Sequence, residues 1–127
     1  MKNSIILSLI LLLTFTNCKS LYKNEKDYSK KEWVNAYKNF TIIQTLKKTG
    51  IDLDKDNSGA IQFEILGANS KVLSEIDSLS NNYSKLILYS PSYFEGKPII
   101  NKILIIYNSK ELNTIACKSY KNWKKYL

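Results

Sequence analysis

Ser29-Lys30-Lys31-Glu32, followed by apolar side chains at three- and four-residue spacing, constrains this chain more than any other stretch. The first backbone N–H groups of a helix have no partner within it, and a Ser with a Glu three residues later satisfies two of them reciprocally. Trp33, Ala36, Tyr37, Phe40, Ile43 and Leu46 then recur along one helical face. Lys47 and Lys48 suit the negative end of the helix dipole, and Gly50 is a natural exit residue because it tolerates left-handed backbone. The spacing predicts a helix whose aromatic stripe faces a core.

The same reasoning continues down the chain. Asp56 or Ser58 can cap a second helix carrying Ile61, Ile65 and Leu66, interrupted or kinked at Gly67 and Asn69. A third helix places Val72, Leu73, Ile76, Leu79 and Tyr83 on one face, with Lys71, Glu75 and Asp77 on the other. A stretch punctuated by Pro91, Gly96 and Pro98 then carries Tyr89, Tyr93 and Phe94. These aromatics either fold back over the core or form a protruding recognition loop, since Tyr and Phe supply large contact area at low entropic cost.

Pro98 suits the first turn of a further helix with Ile99, Ile103, Ile106 and Tyr107 along one side. The isoleucine density suits a buried strand equally, and periodicity alone does not separate helix from strand over 99–107. Asn108-Ser109-Lys110-Glu111 repeats the capping-box spacing ahead of a last helix with Leu112, Ile115, Ala116, Ser119, Trp123 and Leu127 inward. The expected fold is all-α, a small bundle of about five helices with one turn-rich loop before the last helix pair.

The N-terminus reads as an address. Lys2 precedes an apolar run over 5–15, too short to span a bilayer and suited to a secretory signal. The run ends Thr14-Phe15-Thr16-Asn17-Cys18-Lys19-Ser20, which resembles the lipobox of bacterial lipoproteins with Cys18 as the acylated residue. Asn17 stands where a small residue is usual, as in the looser boxes of some bacterial groups. Ordinary signal-peptidase cleavage, with a disulfide role for Cys18, is the alternative. The expected organisation is a lipoprotein signal peptide over 1–17, a flexible tether over 18–27 and a single helical domain over 28–127. This places the protein in the periplasm, held to an envelope membrane through its lipid. Cys117 would then be the only thiol in an oxidising compartment, either buried and inert or paired between chains.

Composition narrows the function classes. The 19 basic residues outnumber the 11 acidic ones, and all are Lys, with neither Arg nor His present. Without Arg the bidentate fork that reads guanine is missing, so nucleic acid is not an expected partner. Without His the commonest general base and metal ligand are missing, the acids are scattered singly, and no nucleophile motif stands out, so the chain reads as a non-enzyme without a cofactor. One stretch does resemble a metal site. Asp54, Asp56 and Ser58 occupy the spacing of the first three ligands of an EF-hand loop, with Gly59 at its turn and Ile61 after it. The position that needs a bidentate carboxylate holds Ile65, while Glu64 falls one residue early. The competing reading is an acidic loop that caps the second helix.

The C-terminal lysines 118, 121, 124 and 125 interleave with Tyr120, Trp123 and Tyr126. They either complement the helix dipole or touch lipid headgroups, cell wall or an acidic partner.

The run Ile103-Leu104-Ile105-Ile106-Tyr107-Asn108-Ser109-Lys110-Glu111-Leu112, extending to Tyr120, resembles the closing helix pair of the type VI secretion amidase immunity proteins. A Cys-Leu-x-Leu-Tyr-x-Ser-x-Glu-Leu pattern recurs near the end of that family. Residues 28–33, Asp56 with Ser58, and Ile76-Asp77-Ser78-Leu79 onward to Tyr83 are compatible with its earlier helices. Ile103 stands at the family's cysteine and the first helix has none, so the family's disulfide is not expected, and Cys117 does not match that position. The resemblance implies an all-helical periplasmic protein, commonly a homodimer, that blocks a cell-wall amidase effector delivered by rival cells with a protruding loop. On position and chemistry, Tyr89, Ser92, Tyr93, Phe94 and Glu95 are the candidate contact residues.

Overall fold

The computed structural model describes residues 28–89 and 98–126. Five helices occupy them: α1 (Lys30–Lys48), α2 (Ser58–Ile65), α3 (Ser70–Leu88), α4 (Ile99–Tyr107) and α5 (Lys110–Lys124). No strand occurs among the described residues, so the fold is all-α and the ambiguous isoleucine-rich stretch is a helix. None of these helices is long and apolar enough to cross a membrane.

α1 begins and ends as its sequence predicts. The Ser29 hydroxyl accepts from the Glu32 N–H at 3.2 Å, and the Glu32 carboxylate accepts from the Ser29 N–H at 2.8 Å. At the other end Gly50 takes φ 88°. Its N–H donates to the Lys47 carbonyl at 3.1 Å, while that of Ile51 reaches back to the Leu46 carbonyl at 3.2 Å, the paired bonds of a Schellman turn.

The remaining boundaries differ from expectation by single residues. The N-cap of α2 is Asn57, whose side chain makes no capping bond. Asp56 serves the helix from one place earlier, accepting from the Ser58 N–H at 2.7 Å. Between α2 and α3 the chain breaks rather than kinks, because Gly67 (φ 68°) and Ala68 (φ 49°) both turn left-handed. Asn69 then caps α3 by accepting from the Lys71 and Val72 N–H groups. Pro98 is the N-cap of α4 rather than its first helical residue, and its carbonyl accepts from the Lys102 N–H. The expected second capping box is not formed. Asn108 closes α4, and Ser109 caps α5 by accepting from the Leu112 N–H at 3.1 Å, which puts Leu112 where Glu111 was expected.

α1 is the hub, packing against α2, α3, α4 and α5. Its buried face is Trp33, Val34, Ala36, Tyr37, Thr41 and Thr45, so two threonines are more deeply covered than Ile43 and Leu46. The reason lies in local bonding. The Thr41 hydroxyl donates to the Tyr37 carbonyl and the Thr45 hydroxyl to the Thr41 carbonyl, both at 2.8 Å, so neither side chain needs an external partner. Ser80 of α3 completes the contact by donating to the Thr41 carbonyl at 3.1 Å. Ile43 and Phe40 instead lie beneath Gly59 of α2, where an added Cβ would sit 3.7 and 3.9 Å from them. The Lys48–Asp77 ion pair, 2.8 Å, joins the end of α1 to the outer face of α3.

Trp33, with no exposed surface, gathers Tyr37, Tyr120 and Trp123 at ring-centroid distances of 5.7, 5.5 and 5.3 Å. Tyr120 and Trp123 are therefore core, and the C-terminal tail does not present its aromatics to solvent apart from Tyr126, 76% exposed. The buried core is supplied by residues between Trp33 and Trp123.

Candidate functional site

The Asp54 loop spends its oxygens on its own backbone. Asp52 accepts from the Asp54 N–H at 2.9 Å, and Asp56 from the Ser58 N–H at 2.7 Å. Hydrogen bonds from the Ser58 hydroxyl, then from the Ser58 N–H, hold the Asp56 carboxyl below its ordinary range. Such short-range turns arise whenever Asp sits two residues before an available N–H, and they fold an acidic loop without an ion. Among the described residues no cluster of three or more His, Cys, Asp or Glu side chains is placed to hold a metal. Asp54, Asp56 and Ser58 are thus neighbours in a helix-entry loop.

The candidate contact loop begins at Tyr89, which caps the C-terminus of α3 and is 82% exposed. Ser92, Tyr93, Phe94 and Glu95 lie outside the described residues, as do Cys18 and the 1–17 and 18–27 segments. What surrounds the loop is described. At its entrance Leu86 is 62% exposed alongside Tyr89. At its exit α4 exposes Ile100 (63%), Leu104 (53%) and Ile105 (61%). Only Ile103 of this strongly apolar helix is fully buried, with Ile99, Ile106 and Tyr107 half-covered on the same side.

This distribution follows from helical geometry. Ile100 and Leu104 are four residues apart and share one flank, Ile105 lies round the helix, and α3 and α1 reach α4 from the Ile103 side. The Lys38 ammonium, 4.3 Å from the Tyr107 ring, pins the far end of α4 to α1. The result is exposed apolar surface on both sides of 90–97. Isolated exposed hydrophobics are ordinary, and here Leu86, Tyr89, Ile100, Leu104 and Ile105 lie on the two helix ends that adjoin 90–97. Sequence patterning placed Ile99, Ile103, Ile106 and Tyr107 along one side, and that is the covered side; it gave no role to Ile100, Leu104 and Ile105, because periodicity does not say what, if anything, faces the rest of a helix.

A partly buried polar cluster also escaped sequence reading. The Ser119 hydroxyl of α5 donates to the Glu75 carboxylate of α3 at 2.7 Å. Trp33 Nε1 and the Tyr37 and Tyr83 hydroxyls are buried without a hydrogen-bond partner. Burial first, then the negative charge of Glu75, pushes the Tyr37 phenol far above its usual ionisation range; burial and Glu111 raise Tyr83 in the same direction. These shifts keep both phenols protonated at physiological pH. The arrangement is a packing compromise between aromatic bulk and polar tips. Cys117 is a free thiol, half-buried against the core.

The described residues form a small all-helical bundle. Compared with protein-family models, with curated proteins and with solved structures, the chain matches none of them.

Proposed function

We propose that this chain is an exported immunity protein that binds and blocks a peptidoglycan amidase effector delivered by type VI secretion, and that Cys18 anchors it by lipid to an envelope membrane. The observation that carries the reading is the apolar surface flanking 90–97: Tyr89 and Leu86 before it, Ile100 and Leu104 after it. An inhibitor needs a surface that fits a cleft and desolvates on binding, and aromatic and aliphatic anchors around a loop provide one. The Tyr107–Leu112 resemblance supplies the class of partner. The absence of His, Arg and any nucleophile motif from the sequence suits a binder better than a hydrolase.

Tyr89, Ser92, Tyr93, Phe94 and Glu95 are the proposed contacts, with Ile100 and Leu104 added from the structure. Titrating the chain into an amidase encoded beside it is expected to abolish hydrolysis of purified peptidoglycan. Tyr89→Ala with Leu104→Ser is expected to weaken inhibition at least about tenfold, as for loss of an interface anchor, with an unchanged helical signal. An amidase that stays fully active in excess chain would sink the proposal.

A further inference from the structure

The last turns of α5 meet the first turns of two other helices, and all three bring lysines to that end. Trp123 stacks 5.3 Å from Trp33, which places the end of α5 beside the start of α1 with its exposed Lys30 and Lys31. Val72, Trp123 and Tyr126 line one small cleft of about 30 Å³. There the Lys71 ammonium of α3 sits 5.9 Å from the Tyr126 ring. Lys121, Lys124 and Lys125 are exposed on the outer side of α5, opposite the buried Leu112, Ala116 and Trp123.

Helix-dipole complementarity accounts for the lysines of α5, which lie in its last turn. It fails for the others. Lys30, Lys31 and Lys71 occupy the first turns of α1 and α3, where the dipole is positive and a cation is unfavourable, and α3 has no acidic residue in that turn. The nearby acids are already engaged, Glu32 by the Ser29 N–H and Glu75 by the Ser119 hydroxyl. Glu32 and Glu75 keep their negative charge while accepting these bonds, but the lysines outnumber them, and this surplus of cations from three helix ends complements an anionic surface outside the molecule. The chain leading back to Cys18 leaves from this same end, and residues 18–27 reach at most about 36 Å when extended.

We propose that this end of the bundle, Lys30, Lys31, Lys71, Lys121, Lys124 and Lys125 with Tyr126 at their centre, is a docking face for the anionic headgroups of a phospholipid bilayer. Juxtamembrane lysines are drawn to anionic lipid, and an exposed tyrosine suits the headgroup layer. The face also orients the bundle against the bilayer. The tether argument rests on lipidation of Cys18; the charge argument does not.

The test uses the chain from Tyr28 onward, which carries the whole described core, and vesicles of phosphatidylcholine with or without about 30 mol% phosphatidylglycerol. The chain is expected to sediment with the anionic vesicles only, and to be released as salt rises from about 50 to about 500 mM. Lys121→Glu with Lys125→Glu is expected to lower partitioning more than about tenfold, each lysine near the surface being worth roughly a factor of five. Lys47→Glu with Lys85→Glu, an equal charge change elsewhere, is expected to leave most of it, and circular dichroism checks that both variants fold. No binding to anionic vesicles at low salt overturns the proposal. So does equal loss in the two double variants, which would mean that net charge alone is responsible. If the full chain proves unmodified at Cys18 yet the domain binds as described, only the anchoring proposal falls.

Discussion

α1 and α4 use apolar side chains to opposite ends. α1 mixes Trp, Tyr and Ile with lysines, asparagines and threonines, yet it is enclosed by four helices and buries Trp33, Tyr37 and even Thr41 completely. α4 is almost wholly apolar, yet it buries only Ile103 and leaves Ile100, Leu104 and Ile105 largely in solvent. Burial therefore follows the number of neighbours that reach a helix and not its hydrophobic content. α4 accordingly keeps apolar surface in solvent, whereas the aromatic face of α1 is enclosed.

The contrast is tested first where the effect is largest. Trp33→Ala empties the centre of the aromatic cluster and is expected to cost about 3–5 kcal/mol, read as a shift in the urea midpoint. If the cost were under about 1 kcal/mol, α1 would not be the hub that its packing implies. Within α4, Ile103→Ala is expected to cost about 2–5 kcal/mol, while Ile100→Ala and Leu104→Ala stay within about 0.5 kcal/mol. Similar losses at all three positions would show that the exposed flank is covered in solution.

The tyrosines of the polar cluster give a smaller effect with a pH signature. Burial and the Glu75 charge raise the Tyr37 phenol above its ordinary value of 10.0, so above that pH the unfolded chain loses a proton that the folded one keeps. Stability present below pH 10.0 is accordingly lost as pH rises further. Tyr37→Phe is expected to flatten this alkaline decline. The hydroxyl makes no hydrogen bond of good geometry, although Glu75 and Ser119 lie near enough to act on its ionisation, so the substitution should also leave neutral-pH stability unchanged or raise it by about 1 kcal/mol. A clear loss at neutral pH would reveal a bond to Glu75 in solution. Smallest of all, Ala68→Gly relieves a left-handed alanine (φ 49°) at the cost of unfolded-state entropy, and thermal melts should show a net gain below about 1 kcal/mol.

Much of the architecture was legible in particular residues. Ser29 with Glu32, Gly50, and the Trp33-to-Tyr37 stripe specify α1 locally, because capping and exit geometry depend only on residues within a turn or two. Boundaries set by competing caps were less legible. Asn57, Asn69 and Ser109 lie among other capping residues, and the winner depends on where the neighbouring helix has to end. For 99–107, helix and strand share the same apolar content, and the contacts of α4 with α3 and α1 are seen only in the folded bundle. Of the candidate contact residues the structure describes Tyr89, which is exposed.

The sequence by itself determined the helices, the lysine-only charge and the lack of histidine, since these follow from residue identity and near-neighbour chemistry. Tertiary structure decided which apolar residues are covered, that Tyr120 and Trp123 turn inward to Trp33, and that lysines from three helix ends share one end of the bundle. Those outcomes depend on which helices pack together, and periodicity along a single helix carries no record of its neighbours.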